Sequence, residues 1–371
     1  MKVKFKYAMA MAAALVLGFS SCSNDNEKDA VESASKDVTI HVSNPSTYAE
    51  EASAVDQRPD LNDLNVYFIG AGVIKKKGTM TSAEITAGKT FTDVPGSATK
   101  VVIIGNATAL ASPSVSTIAL NDPESKLNTL MFEQSKQTDP TTDVNVYGDA
   151  TIGGTVGAET AAVTMAPAIS RIEIAKVEAK SEAAGAAIEL SGFKLAGIYI
   201  NNTYMECGTD YETLPADAAK VLNYGQEEDI WTDGTYPTRF KDEWTSPTEA
   251  TSFAPATGTK WSYYVMPVVA DKGTTIDGAT QKSVPHIILK ITDAKAEGYE
   301  LPNPAYVTVK ELQVGGASLT VLARGKVYSI AKLSIAGENL GARPERPAMQ
   351  DVLVTAEITP WTNQPVDPII P

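Results

Sequence analysis

Cys22 stands where an apolar run meets an acidic one, in LVLGFSSCSNDNEKD. Ahead of it lie Lys2, Lys4 and Lys6, then an apolar stretch from Ala8 to Phe19. That stretch of about twelve residues suits a secretory signal and falls short of the roughly 20 a transmembrane helix needs. The small residues Ser20 and Ser21 precede the cysteine. Residues 1–21 therefore read as a lipoprotein signal peptide, cut before Cys22, whose new N-terminus carries acyl chains. Several chains on one residue give lasting membrane attachment, where a single chain gives only marginal binding. Phe19 occupies the position where such signals usually carry Leu. The plainer alternative is an ordinary cleaved signal with an incidental cysteine.

Few other residues offer chemistry. The chain has two cysteines and two histidines. Once Cys22 is acylated, Cys207 is the only thiol left, so no disulfide framework exists and Cys207 reads as a passive, buried group. His41 falls on the polar side of a strand pattern and His286 opens another, which suits surface or strand-end residues better than ligands. No HExxH, CxxC or G-x-S-x-G motif is present. IGGTVG at 152–157 neither follows a strand nor opens a helix, so it reads as a flexible loop and not as a dinucleotide site. Asp271 and Asp277 in DKGTTIDG lack calcium-loop spacing and fit a hairpin turn. Carboxylates are abundant, and glycoside hydrolysis needs only two at about 5–10 Å, yet no local pairing recommends any. Trp231, Trp244, Trp261 and Trp361 could stack on sugars, but such residues more often fill cores. The sequence predicts no enzyme, no catalytic residue, no metal and no cofactor.

The formal net charge is −14, and losing residues 1–21, with three lysines and no acids, makes it −17. That surface disfavours nucleic acid and anionic lipid. No later segment reaches transmembrane length.

Period-two alternation dominates, in short runs rich in Val, Ile, Thr and Tyr. Val38, Ile40 and Val42 alternate with Thr39, His41 and Ser43; LNVYFIG, RIEIAKVEAK, KLAGIYINN, WSYYVMPVVA, HIILKIT, YVTVKEL and KVYSIAKLSIAG follow. KVVIIGNA at 100–107 is a continuous apolar run, as befits a strand covered on both faces. Residues 112–132 allow one short helix with Pro123 in its first turn, and 182–187 a loop. The predicted fold is all-β, with two tandem β-sandwich domains of transthyretin-like or Greek-key type. The expected order is a tether at 22–36, one sandwich at 37–166 and a second at 167–340, with a boundary near Pro167. Residues 341–371 form a linker, GARPERPAMQ, and a terminal strand at 351–359. Val352, Val354, Ala356 and Ile358 line one face of that strand. A lone amphipathic strand must join a sheet, its own or a partner's.

Several stretches in order resemble the fimbrillins of Bacteroidia, the subunits of type V pili. They are the signal with Cys22, VTIHVSN, the loop AVDQRPD, LNDLNVYFIG, KVVIIGNA, MAPAISRIEIAKV, RGKVYSIAKLSI and the terminal strand with ITPW. SNDNEKD likewise resembles the acidic signal that exports lipoproteins to the outer face of the outer membrane in such bacteria. The resemblance covers nearly the whole chain and implies a mechanism. A lipidated precursor reaches the cell surface. A trypsin-like protease then cuts after the first strand, here about 37–43. That strand leaves, and a neighbour's C-terminal strand fills its place by β-augmentation, giving an open filament that supports adhesion. Arg58 is the only arginine between Cys22 and the second strand, but Pro59 follows it, and trypsin-like enzymes cut Arg–Pro bonds poorly.

The implied partners are copies of the same chain, other pilus subunits, the membrane through the lipid before processing, and surface receptors. The alternative reading is a monomeric outer-membrane lipoprotein that binds glycans through its sandwiches. A third, a surface hydrolase, needs a carboxylate pair in a cleft.

Overall fold

A computed structural model describes residues 34–43, 59–107, 111–137, 143–209, 220–225, 231–267, 275–276, 279–280, 284–345 and 353–360. The side chains of 111–112, 275–276, 279–280, 353–355 and 357–360 are outside this description. The architecture is all-β.

The N-terminal half packs one sheet on another. The strands are β1 (Ser35–Ser43), β2 (Asp63–Gly70), β3 (Val73–Thr81), β4 (Lys89–Pro95) and β5 (Lys100–Gly105). They continue with β6 (Val146–Thr151), β7 (Gly153–Thr155), β8 (Ala158–Thr164) and β9 (Ala166–Pro167). The outer sheet runs β4-β1-β8-β7 and the inner sheet β9-β6-β5-β2-β3. Alternation explains the layer between them. Val38, Ile40, Phe91, Val94, Ala161 and Val163 from the outer sheet meet Leu64, Val66, Phe68, Val101, Ile103 and Val146 from the inner one. Phe91 sets its edge on Phe68, with centroids 5.2 Å apart. A Cβ at Gly78 would lie 2.6 Å from the Phe91 ring, so this strand position needs glycine.

The other face of the inner sheet is also covered. Tyr67, Ile69, Val102 and Ile104 join a second cluster with Val115, Ile118, Leu127, Leu130 and Phe132, which continues into the C-terminal half. Val101 to Ile104 are all buried, the arrangement expected from their unbroken apolar run.

The C-terminal strands are β10 (Ser170–Ile174), β11 (Val177–Ala179), β12 (Gly192–Asn201), β13 (Lys241–Glu243), β14 (Ser252–Phe253), β15 (Trp261–Val265), β16 (His286–Lys295) and β17 (Ala305–Val309). After them come β18 (Glu311–Val314), β19 (Ala317–Ser318), β20 (Lys326–Ile330), β21 (Leu333–Ile335), β22 (Leu353–Thr355) and β23 (Glu357–Pro360). Sheets form in the orders β15-β10-β20-β23, β14-β11-β21, β13-β12-β16-β17 and β19-β18-β22. Short strands at 131–133 and 206–208 tie the halves together, placing Cys207 opposite Phe132. Cys207 is buried, with its Sγ 3.5 Å from Met266 Sδ.

Two local expectations change, and two further elements appear. The short helix expected in 112–132 takes the 3-10 form, at Val115–Thr117 and Glu124–Thr129, and Pro123 stands at the N-cap of the second and not in its first turn. IGGTVG is a hairpin: β7 pairs with β8 across Val156 and Gly157, whose φ of 86° suits glycine. The Gly/Ala-rich stretch before Pro167 contains β8 itself. Ser82–Ala87, unassigned from sequence, forms a helical turn, α1, where Glu84 accepts the Thr81 backbone N–H at 2.8 Å.

Candidate assembly site

β1 lies inside its sheet. It pairs parallel with β8, from Val38 opposite Glu159 to Ser43 opposite Thr164. It pairs antiparallel with β4, with Val38 opposite Phe91 and Ile40 opposite Lys89. Val38 and Ile40 are fully buried, while Asp37, His41 and Ser43 face solvent. Few side-chain bonds add to these ladders. Thr39 and Thr90 share a hydroxyl bond of 2.9 Å, Ser43 and Thr164 one of 3.2 Å, and Lys36 Nζ donates to Ala98 O at 2.8 Å. Among the described contacts, most of what holds β1 is thus backbone pairing and the apolar side chains of Val38, Ile40 and half-buried Val42, which a strand of matching alternation can reproduce. Without β1, two facing edges would flank a groove about 9–10 Å wide, twice the ordinary strand spacing.

The loop after β1 returns to the described chain at a pinned point. Pro59 and Leu61 are buried. The Asn106 amide donates to Asp60 O at 2.7 Å, and its Oδ1 accepts the Asn62 N–H at 3.1 Å. A protease must therefore free Pro59 and Leu61 to seat the 58–59 bond. Cys22, Arg58 and Val352 lie outside the described residues.

The terminal segment divides in two, which corrects the expectation of one uninterrupted strand. β22 runs parallel to β18, with Leu353 opposite Glu311, Val354 opposite Leu312 and Thr355 opposite Gln313. β23 runs antiparallel to β20, with Ile358 opposite Tyr328 and Pro360 opposite Lys326. The two edges belong to different sheets, so the chain must switch between them. It does so at Ala356, which is 2% exposed and whose N–H donates to Gln313 O at 2.7 Å. A small side chain fits such a crossing. β22 and β23 are each outermost in their sheets and hydrogen-bonded on one side only.

Other candidates separate. His41 is exposed on β1, and His286 opens β16 but is buried. Among the described residues, no group of three or more His, Cys, Asp or Glu is placed to hold a metal. Trp244 and Trp261 line a shallow groove with Leu195 and Phe253. Their rings meet edge to face at 65°, so the two do not form one continuous plane. Sequence reading missed β4 and β8, the walls of the β1 groove. Phe91 and Val94 in KTFTDVP, and Ala161 and Val163 in AETAAVT, carry the only signal, weakened by threonines and alanines.

No family model and no curated protein matches the sequence. Solved structures do. A candidate cell adhesion protein of Parabacteroides distasonis ATCC 8503 aligns with TM-score 0.56 at 13% identity, over 89% of this chain and 100% of that one. One from Bacteroides eggerthii DSM 20697 gives 0.53 at 17%, over 90% and 98%. A fimbrilin of Porphyromonas gingivalis W83 gives 0.52 at 12%, over 88% and 99%. The chain has a fimbrilin fold.

Proposed function

We propose that the chain is a structural subunit of a cell-surface fimbria, exported as a lipoprotein on Cys22 and polymerised by donor-strand exchange. β1 is removed by proteolysis, and the terminal strand of a second copy takes its place between β4 and β8. The observation that carries this reading is the position of β1. The first described strand lies between two neighbours in its sheet, yet it is held by little beyond backbone pairing and apolar contact. The fold shared with a fimbrilin and candidate adhesion proteins supports the same reading.

The apolar balance favours exchange. β1 offers two fully buried side chains, Val38 and Ile40, and a half-buried Val42. The terminal strand offers Val352, Val354, Ala356 and Ile358 at the same spacing. At roughly 1.5–3 kcal/mol per buried branched side chain, Val352, Val354 and Ile358 would at least replace what Val38, Ile40 and the half-buried Val42 supply. Receptors and the lipid anchor's role in delivery belong to the same proposal.

The test is the N-terminal sequence and oligomeric state of protein sheared from cells. A start beyond β1, with oligomers that survive mild detergent and fall apart on boiling, supports exchange. A lipidated Cys22 terminus on a monomer removes it.

A further inference from the structure

The first half of GARPERPAMQ is bound to the body. Gly341 and Tyr306 exchange both backbone hydrogen bonds at 2.8 Å. The Glu345 N–H donates to Thr308 Oγ1 at 3.0 Å, and Lys310 Nζ donates to Glu345 O at 2.9 Å. Tyr306, Thr308 and Lys310 are alternate residues, so 341–345 is laced along the edge of β17. The lacing ends at a buried charge. The Glu345 side chain is 1% exposed, and its carboxylate meets His286 Nδ1 at 2.8 and 2.9 Å. Asn201 Nδ2 donates to it at 2.9 Å. Asn201 is itself fixed, accepting the Tyr224 N–H at 2.9 Å and the Tyr236 hydroxyl at 3.1 Å. The other ring nitrogen, Nε2, lies 3.4 Å from Asn202 Nδ2. Glu345 also holds a left-handed φ of 57°, uncommon for a residue with a side chain.

A buried carboxylate on a left-handed backbone is costly, and a free connector has no use for one. We infer that Glu345 is the fixed pivot of the C-terminal extension. The body ends at Glu345, and the segment handed to a second copy begins after it. The inference rests on the strand-exchange reading. It sets a distance limit: eight residue steps separate Glu345 from Leu353, spanning at most roughly 28 Å at about 3.5 Å each. The acceptor groove of the second copy must therefore open within that reach of Glu345.

The experiment is native-state hydrogen exchange on the full-length monomer across low denaturant, so it needs no polymer. The amides of 353–359 are expected to open at lower denaturant than those of Gly341 and Glu345, which open together with β16 and β17. Concerted opening of 341–345 with 353–360 overturns the pivot. In Glu345→Ala the Gly341 amide is expected to exchange at least tenfold faster, while β12 and β16 change less than twofold. Unchanged protection at 341, or deprotection spread across β12 and β16, also overturns it. If the pivot holds and the processed protein never polymerises, the exchange reading fails and the pivot stands.

Discussion

Replacing Ile40 by alanine is expected to weaken the unprocessed chain and spare the assembled fibre. Ile40 is fully buried between the two N-terminal sheets, in one cluster with Val38, Leu64, Val66, Phe68 and Val163. Truncation removes three carbons, worth about 2.4 kcal/mol at ~0.8 per methylene. The cavity left behind adds to this, giving ~3 kcal/mol, inside the usual 2–5 for such changes. With a urea slope of about 2 kcal/mol/M, the midpoint falls by about 1.5 M. The assay is urea titration of the unprocessed monomer, read by hydrogen exchange at β1, β4 and β8. Under the proposed exchange the fibre lacks β1, so the temperature at which detergent-resistant oligomers dissociate is expected to match wild type. Val163→Ala is the control. It lines the same core from β8, which remains, so it weakens both states, the monomer by about 2 kcal/mol. Fibres of Ile40→Ala that dissociate early, or fibres of Val163→Ala that do not, refute the reasoning.

Two further outcomes follow from named contacts. Trypsin is expected to leave the 58–59 bond intact in the native chain, because Pro59 follows Arg58, Pro59 and Leu61 are buried, and Asn106 pins Asp60 and Asn62; mass spectrometry showing a fragment starting at Pro59 contradicts this. Acid is expected to loosen the root of the C-terminal extension. Burial works against a charged Glu345, but the hydrogen bond and charge interaction with His286, then Asn201 and Lys310, hold its carboxyl below the ordinary 4.5. Tyr236 also faces it. A depressed carboxyl stabilises fully above its unfolded value, and that contribution is lost as pH falls through the folded one. Protection of the Gly341 amide is therefore expected to decline below about pH 4.5, with a flatter profile in Glu345→Gln.

What could be read from the sequence depended on how strongly each strand signalled its burial. LNVYFIG and KVVIIGNA are dense in large apolar residues, and β2 and β5 follow them closely. β8 escaped notice because its inward residues are only Ala161 and Val163, and alanine separates poorly from a loop by hydropathy. β10 misleads in the other direction. Arg171 and Glu173 occupy the alternate positions that look solvent-facing, yet both are buried, paired at 2.6 Å, with Lys260 Nζ 3.1 Å from Glu173. A charge buried by pairing is invisible to periodicity, because the partner's position is a property of the fold. Glu345 was missed for the same reason: its His286 and Asn201 partners are remote in sequence and meet it only across β12 and β16.

Under the proposed strand exchange, the break at Ala356 would give the process its direction. Docked on its own body, the terminal segment is split between two edges, and each piece is hydrogen-bonded on one side. In the groove left by β1, a single continuous strand would find β4 on one side and β8 on the other. The backbone groups left open on the outer side would then be paired as well, and Val352, Val354 and Ile358 would share one buried face without interruption. The self-docked arrangement still serves the waiting subunit. It covers the β18 and β20 edges, which would otherwise offer open pairing to any passing strand. When the segment leaves, Lys326 remains on the exposed β20 edge, a charge of the kind that discourages unwanted pairing. On that proposal one strand would protect its own subunit before assembly and join the next one afterwards, with Glu345 as the point about which it turns.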